Sequence, residues 1–321
     1  MKKILIISSN RLGDCILSSG LNPYFKKKIK NSNLTFVCGD IPSVFFKYCK
    51  NIDNLIIFKK KKLSLHWLIL WTKVVLNKWE LVIDLRGSVI SFFLLSKKKI
   101  KYKKQKSTIK KHKVEDVTRY ITGIVLNPQV NLSKNKKFQD KNLKKIKKLK
   151  ENNKLIMIAP TANWKGKIWP AERYKDLIFK LKKQKIFKKS IFIITGPENE
   201  RKLIRDILNI QKNFIYDLFG NSNLVEIFHI MKLCDLFIGN DSGLMHMASL
   251  SSIKTIGLFG PSDKGIYGPW GKNNLAITSP KSPEDLMGHK NFNYRSSDNL
   301  MLELKTEKVV NLVKKYLKGN L

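Results

Sequence analysis

Short apolar runs alternate with helix-length segments, and this alternation restricts the fold more than any other feature of the chain. In the first half, the apolar runs occupy residues 3–8, 34–38, 55–58 and 81–84. Such alternation is typical of βαβ units, in which helices cover the strands of a parallel sheet. We therefore predict that the chain begins with an α/β domain.

The same pattern starts again after residue 152. Strands are predicted at 155–159, 191–195, 214–216, 236–239 and 255–259, and helices at 171–183, 198–208, 224–232 and 243–250. A chain of 321 residues has enough length for two cores. We expect an N-terminal domain over 1–152 and a C-terminal domain over 153–321, joined through a lysine-rich surface helix at 142–151. An amphipathic helix at 306–317 closes the chain, and we expect it to pack back towards the first domain. Two doubly wound domains in tandem would face a central cleft, with ligands at the carboxyl ends of the strands.

The formal net charge of +39 is concentrated in the first half, where residues 1–150 carry 36 Lys and Arg against 8 Asp and Glu. This excess indicates either an anionic partner or a compositional bias of the kind that an AT-rich genome produces, since only seven of the 63 basic residues are arginine. A basic nucleic-acid-binding protein is the alternative that charge alone suggests. The lysines, however, show no recognisable nucleic-acid-binding motif and are seldom interleaved with aromatic residues, so we expect no specific nucleic-acid partner.

Cysteine spacing and hydropathy bear on the compartment. Cys15, Cys38, Cys49 and Cys234 lie far apart and form no metal-binding pattern, which predicts buried, reduced thiols and no metal site. The apolar run after Met1 is too short for a secretion signal, and the segment 63–76 is too short to span a bilayer. We therefore expect a cytoplasmic protein. The segment 63–76, which follows four lysines, is interpreted either as a core helix, which we favour, or as a helix resting on the anionic inner membrane.

Three polar segments follow predicted strands, and they are the candidates for chemistry. The first, 8–14, places Asp14 beside the start of a helix, where a carboxylate acts as a general base or simply satisfies backbone N–H groups. The second, 160–170, brings a hydroxyl, an amide and two lysines into one loop. Lys167, next to a rigid Trp-Pro pair, is the candidate for binding a pyrophosphate, although the loop could also be purely structural.

The third segment, 239–248, is the most informative of the three. It opens a helix at Ser242 and Gly243, whose free N–H groups suit an anion, and it carries Asp241 and His246. For an isolated copy, an N-cap and a core histidine would be the better interpretation. A second strand ending in Gly260, Pro261 and Ser262 at the same sheet edge favours a binding site. The chain has neither a G-x-G-x-x-G fingerprint nor a Walker A loop.

The order of these motifs resembles glycosyltransferase family 9, the ADP-heptose:lipopolysaccharide heptosyltransferases and their relatives. The resemblance rests on Leu12-Gly13-Asp14, the 167–170 loop, Gly196-Pro197 with Glu200, the run from Asn240 to His246, and the 258–261 turn. It covers essentially the whole chain, although residues 40–80 and 95–150 contribute little to it. The 240–246 run is its most specific part.

The resemblance implies an α/β GT-B fold with two Rossmann-like domains, the N-terminal one binding the acceptor and the C-terminal one the donor. It implies an inverting enzyme that needs no metal or other cofactor, with Asp14 as the general base. The donor-binding residues that it implies are Asn163, Lys167, Glu200, Asp241, Ser242, Gly243, Leu244 and His246. Ala162 and Asn163 stand where some members have two threonines, and the loop is shorter, so ADP-heptose is an expectation from the family as a whole.

The partners that follow are a nucleotide-diphosphate sugar and an anionic lipid-linked glycan, with peripheral contact at the inner membrane. A non-catalytic glycan-binding relative is a further alternative. The joint presence of Asp14, Lys167, Asp241 and His246 argues against it.

Overall fold

The computed structural model describes residues 1–59, 62–104, 110–133, 141–210, 213–290, 292–295 and 297–319. Parts of the two lysine-rich stretches of the sequence, 105–109 and 134–140, lie outside these residues. By its internal contacts the chain divides into two compact units, Met1–Lys137 and Phe138–Leu321. The division lies before the boundary expected at residue 152, because the lysine-rich helix at Lys141–Lys150 packs on a helix of the second unit.

Each unit contains one sheet, and all the strand pairs described are parallel. The strands are β1 (Lys2–Ile7), β2 (Ser32–Cys38), β3 (Asn54–Ile57), β4 (Trp79–Asp84), β5 (Ser96–Lys101), β6 (Lys154–Ala159), β7 (Ser190–Ile194), β8 (Ile215–Asp217), β9 (Leu236–Asn240), β10 (Lys254–Phe259) and β11 (Asn274–Thr278).

The α-helices lie between and after these strands. They are α1 (Leu12–Leu17), α2 (Leu21–Lys28), α3 (Asp40–Phe46), α4 (Leu65–Val74), α5 (Lys113–Thr122), α6 (Lys141–Lys150), α7 (Ala171–Lys182), α8 (Arg205–Leu208), α9 (Leu224–Met231), α10 (Gly243–Leu250), α11 (Lys264–Tyr267), α12 (Pro283–Met287) and α13 (Thr306–Leu317). The helix expected at 198–208 begins as a 3₁₀ segment, Glu198–Ile204, and becomes α-helical only at α8.

The first unit has the strand order β3-β2-β1-β4-β5. The chain reverses its direction of travel across the sheet between β1 and β4, so the loops after these two strands meet at a topological switch point. One face of the sheet carries Leu5, Val37 and Val82, which are buried beneath α4 and the 3₁₀ segment Ile90–Phe93. β5 was not predicted, because three of its six residues are consecutive exposed lysines on an edge strand.

The second unit has the order β11-β10-β9-β6-β7-β8, and its switch point lies between β6 and β9. Its core contains Trp169, Tyr174 and the apolar side chains of the central strands. The last helix, α13, packs on α7 and β11, and Val309 and Val313 belong to this core. The apolar face of the last helix is thus buried in the second unit, and packing of that helix towards the first domain stays a prediction.

The α/β class, with two doubly wound parallel sheets, is confirmed. Among the residues that the structure describes, none of the helices combines the length and the apolar character that crossing a membrane requires.

Candidate active site

Asp14 lies in the first turn of α1, directly after the carboxyl end of β1. Its Oδ2 accepts a hydrogen bond from the Ser9 hydroxyl at 3.0 Å, and that hydroxyl in turn accepts one from the Arg11 backbone N–H at 3.2 Å. The N-cap residue of the helix, Arg11, makes no side-chain capping bond. The Asp14 carboxylate thus accepts its hydrogen bond from a side chain and not from the backbone N–H groups that a capping residue would satisfy.

Arg86, which no sequence motif indicates, approaches the Ser9 hydroxyl from the neighbouring strand. It follows β4, and its Nη1 lies 3.4 Å from Ser9 Oγ and 3.3 Å from Asn10 Oδ1. Buried Asp84 positions this loop, because it accepts the Arg86 N–H at 2.9 Å and the Ser88 hydroxyl at 2.7 Å. The available signal was Asp84 at the end of a predicted strand, followed by one of only seven arginines.

Lys113 of α5 also interacts electrostatically with the Asp14 carboxylate. The pKa of Lys113 is lowered by burial, and the charges of Asp116 and Asp14 oppose this shift. Its ammonium group donates to the Tyr102 hydroxyl at 3.1 Å. The carboxyl edge of the first sheet therefore combines one half-buried carboxylate with Arg86 and Lys113, an arrangement suited to an anionic ligand whose hydroxyl group lies near Asp14.

Lys167 and Asp241 meet at the switch point of the second unit. Lys167 comes from the loop after β6 and Asp241 from the loop after β9, and Lys167 Nζ lies 2.5 Å from Asp241 Oδ2. The Asp241 side chain is 7% exposed and that of Lys167 is 22% exposed. Crevices at such points are where ligands bind in doubly wound sheets. The structure thus brings together these two predicted site residues.

Asn240 fixes the geometry of the Lys167 loop, a role that the sequence analysis did not assign to it. Its Oδ1 accepts from the Trp169 N–H at 3.2 Å and from the Tyr174 hydroxyl at 3.0 Å, and its Nδ2 donates to the Pro160 carbonyl at 2.8 Å. The side chain is fully buried. One amide therefore anchors both ends of the loop that carries Lys167.

The N-terminus of α10 opens at the same place. Ser242 is its N-cap, but its side chain makes no capping bond, and among the described residues its buried hydroxyl has no hydrogen-bond partner. Gly243 is the first helical residue, and backbone N–H groups in the first turn of a helix have no intrahelical partner and suit an anion. His246 lies one turn further on, with Nε2 at 4.0 Å from Asp241 Oδ1. A buried, unsatisfied hydroxyl at a helix N-terminus fits an oxyanion ligand.

The three remaining predicted donor residues differ in their surroundings. Glu200, in the 3₁₀ segment after β7, is half-buried, and burial raises the pKa of its carboxyl group while a hydrogen bond with Thr161 opposes the shift. Thr161 lies in the Lys167 loop, so Glu200 borders that loop. Asn163 is exposed on the same loop, and Leu244 is half-buried in the first turn of α10.

Within the ranges that the structure describes, no group of three or more His, Cys, Asp or Glu side chains could hold a metal ion. The four cysteines, all described, are buried and free. Burial raises the pKa of Cys15 to about 12. Cys15, the residue after Asp14 in the chain, therefore remains a neutral thiol.

Comparison with known families identifies the family of the chain. Residues 67–293 match the model of glycosyltransferase family 9 (heptosyltransferase). The chain belongs to glycosyltransferase family 9. The family match confirms the resemblance seen in the motifs and shows that the protein is an enzyme, a glycosyltransferase of heptosyltransferase type.

Relatives agree with this assignment over nearly the whole chain. Lipooligosaccharide heptosyltransferase 2 of Campylobacter jejuni serotype O:2 is 26% identical over 341 aligned residues, covering 99% of each chain. The family 9 glycosyltransferase of Veillonella parvula has a TM-score of 0.76 at 19% identity, covering 99% of this chain and 97% of that one. The structure of Escherichia coli ADP-heptose LPS heptosyltransferase II has a TM-score of 0.70 at 17% identity, with all of both chains covered. These likenesses confirm the GT-B fold class.

Proposed function

We propose that this family 9 enzyme is an inverting, metal-independent heptosyltransferase that moves heptose from ADP-heptose to a lipopolysaccharide core or related surface-glycan acceptor. The observation that carries the proposal is the cluster at the β6/β9 switch point, where Lys167, the unsatisfied Ser242 hydroxyl and the open end of α10 converge. The C. jejuni relative, named as a lipooligosaccharide heptosyltransferase, supports the choice of sugar and pathway. The E. coli fold neighbour, named for ADP-heptose, supports the choice of nucleotide.

The second unit binds the donor in this proposal. The diphosphate lies at the N-terminus of α10, where it accepts hydrogen bonds from the Ser242 hydroxyl and from the backbone N–H groups at Gly243. It also forms an ion pair with Lys167. These groups stabilise the negative charge that develops on the departing ADP, a role that a divalent cation performs in other transferases. Glu200, beside Thr161, contacts the nucleoside of the donor. The other residues that line the donor site are Asn163, Leu244, Asp241 and His246.

Asp14 of the first unit acts as the general base. The acceptor hydroxyl oxygen forms a bond to the anomeric carbon on the face opposite the diphosphate, the bond from that carbon to the phosphate oxygen breaks, and ADP leaves with the electron pair. The hydroxyl proton passes to the Asp14 carboxylate. Ser9 holds that carboxylate from one side at 3.0 Å, which fixes its direction without neutralising it.

The acceptor is a lipid-linked glycan whose phosphate and carboxylate groups match the basic first unit. Arg86 and Lys113 flank Asp14 and supply positive charge where such groups would lie. The enzyme acts in the cytoplasm, at the inner face of the inner membrane, and nucleic acid is not a specific partner.

The proposal is tested by thermal shift with ADP, UDP, GDP and ADP-heptose at equal concentrations. A ligand that binds the folded state alone raises the melting temperature by mass action. We expect ADP and ADP-heptose to raise the melting temperature of the wild type most, and Lys167→Ala to lose most of that rise. Equal shifts for all nucleotides, or none for ADP, would contradict the assignment of the donor.

A further inference from the structure

We propose that the outer surface of α4 and of the adjoining 90–95 segment is a docking surface for an anionic lipid bilayer. This α4 face comprises the exposed apolar side chains of both elements, which are 39% to 66% exposed, namely Leu65, Leu68, Ile69, Phe92, Phe93 and Leu95. The proposal goes beyond sugar transfer, since binding to lipid requires neither donor nor acceptor.

The two elements that carry the α4 face cover the same side of the first sheet. Leu70 and Val74 of α4 and Ile90 and Leu94 of the following segment belong to one buried cluster, and the two elements are in contact. Trp67 and Trp71 pack against the edge of that cluster, whereas the residues of the α4 face lie outside it and are exposed. The expected core helix is therefore only half buried, and its outer side has leucine and isoleucine where a solvated helix would have charged residues.

An apolar groove continues the α4 face towards the edge strand β3. It has a volume of about 270 Å³ and is lined by Ile57, Phe58, Ile69 and Leu70, with Lys59 and Lys73 also on its walls. Apolar walls with flanking ammonium groups match a lipid, which joins acyl chains to a phosphate-bearing headgroup.

Two lysines lie beside Phe92 of the α4 face. Lys99 Nζ donates to the Phe92 carbonyl at 3.0 Å, and Lys101 Nζ lies 4.5 Å from the centre of the Phe92 ring. The sequence from 59 to 104 contains twelve lysines and Arg86 against only Glu80 and Asp84. Glu80 is paired with Lys97 and Asp84 is buried, so the field at this surface is positive.

This charge decides between possible occupants. A second copy of the same face would set lysines against lysines, which opposes self-association. An anionic leaflet instead attracts each lysine near it, while apolar side chains enter the boundary between headgroups and acyl chains. An anionic bilayer is therefore the partner that satisfies both the apolar centre and its basic rim.

The experiment is co-flotation of the full chain with vesicles of phosphatidylcholine alone or mixed with phosphatidylglycerol, without donor or acceptor. We expect binding to the anionic vesicles, weakening as salt rises, and little binding to neutral ones. The double variant Leu68→Gln/Phe93→Gln should bind about tenfold more weakly or worse while melting like the wild type, because both side chains are exposed. Lys99→Gln/Lys101→Gln should also bind more weakly.

The matched control is Leu203→Gln/Leu302→Gln, which changes two equally exposed leucines of the second unit and should bind like the wild type. Equal binding by the Leu68/Phe93 variant, or no binding of the wild type to anionic vesicles, would overturn the proposal. So would a wild-type dimer in sedimentation that the same variant dissociates. The transferase activity is measured separately, as transfer to a delipidated, soluble acceptor, which does not require binding to vesicles. Failure of the docking surface is therefore distinguishable from failure of the proposed transferase activity.

Discussion

At the residue scale, the Lys167 ammonium group has two negatively charged partners. In the structure its ammonium group pairs with the buried Asp241, and in the proposed complex it also binds the diphosphate. An ion pair at 2.5 Å keeps the lysine side chain oriented towards the switch point before the ligand arrives, which lowers the entropy lost on binding. The carboxylate thus orients the lysine and also adds a negative charge that the N-terminus of α10 must offset.

Replacing Lys167 by alanine should weaken the binding of ADP by about 10- to 100-fold, because a charge-assisted contact is worth roughly 1.5–3 kcal/mol. Calorimetric titration well below the melting temperature measures this. Lys165→Ala is the matched control, since Lys165 lies two residues away, is 67% exposed and pairs with the exposed Asp298. Unchanged affinity in Lys167→Ala, or an equal loss in Lys165→Ala, would contradict the assignment.

Single residues also show what sequence reasoning reaches and what it misses. Lys167 and Asp241 were singled out because each follows a predicted strand, and parallel strands bring their carboxyl ends to one edge. Asn240 and Arg86 were missed as positioning residues, because their importance comes from contacts with Pro160 and Ser9, which are 80 and 77 positions away in the chain. Propensity and local pattern contain no information about such partners.

At the scale of elements, the N-terminus of α10 combines a binding function with an unsatisfied group. Ser242→Ala should leave the melting temperature unchanged or slightly higher, because the hydroxyl makes no capping bond and its burial without a partner is a cost. Affinity for ADP should fall by up to about tenfold. Melting curves and titration of the same variant separate the two effects. A lower melting temperature with unchanged affinity would mean that the hydroxyl is purely structural.

The Lys167 loop depends on Asn240 for its attachment to the sheet. Asn240→Ala removes the partner of three groups, the Trp169 N–H, the Tyr174 hydroxyl and the Pro160 carbonyl. Unsatisfied buried groups cost about 1–3 kcal/mol each, so we expect the melting temperature to fall by at least about 5 °C. Asn199→Ala, at an exposed position, serves as the control. A variant that melts like the wild type would show that the loop has another anchor.

Most central strands were predicted, whereas two edge strands were not. β1, β2, β6 and β9 are apolar runs that both faces bury, and such runs stand out in a sequence. β5 is rich in lysine and β11 is half-buried, because an edge strand has one side open to solvent. The amphipathic helix α13 was predicted with its bounds, but the unit against which it packs is set by tertiary contacts.

At the scale of the whole molecule, the proposed mechanism stabilises the leaving diphosphate with positively charged groups of the protein and not with a metal ion. Excess EDTA should leave the transfer rate unchanged, because in the proposed mechanism Lys167 and α10 stabilise the departing diphosphate without a divalent cation. The measurement is the rate of transfer before and after chelation. Loss of activity that Mg²⁺ or Mn²⁺ restores would refute metal independence while leaving the family assignment in place.

The central claim is that Asp14 is the general base of the proposed transfer. The most direct measurement is acceptor-dependent release of ADP from ADP-heptose, at saturating acceptor, by the wild type and by Asp14→Asn. Asparagine keeps the size of the side chain and an oxygen for the Ser9 hydroxyl, but it cannot take up a proton. Asp285→Asn, which alters an aspartate in the capping box of α12, is the control and should turn over normally.

We predict that Asp14→Asn melts like the wild type, binds ADP normally and loses roughly 10²–10⁴-fold in kcat. Near-wild-type turnover by a correctly folded Asp14→Asn protein would contradict the account.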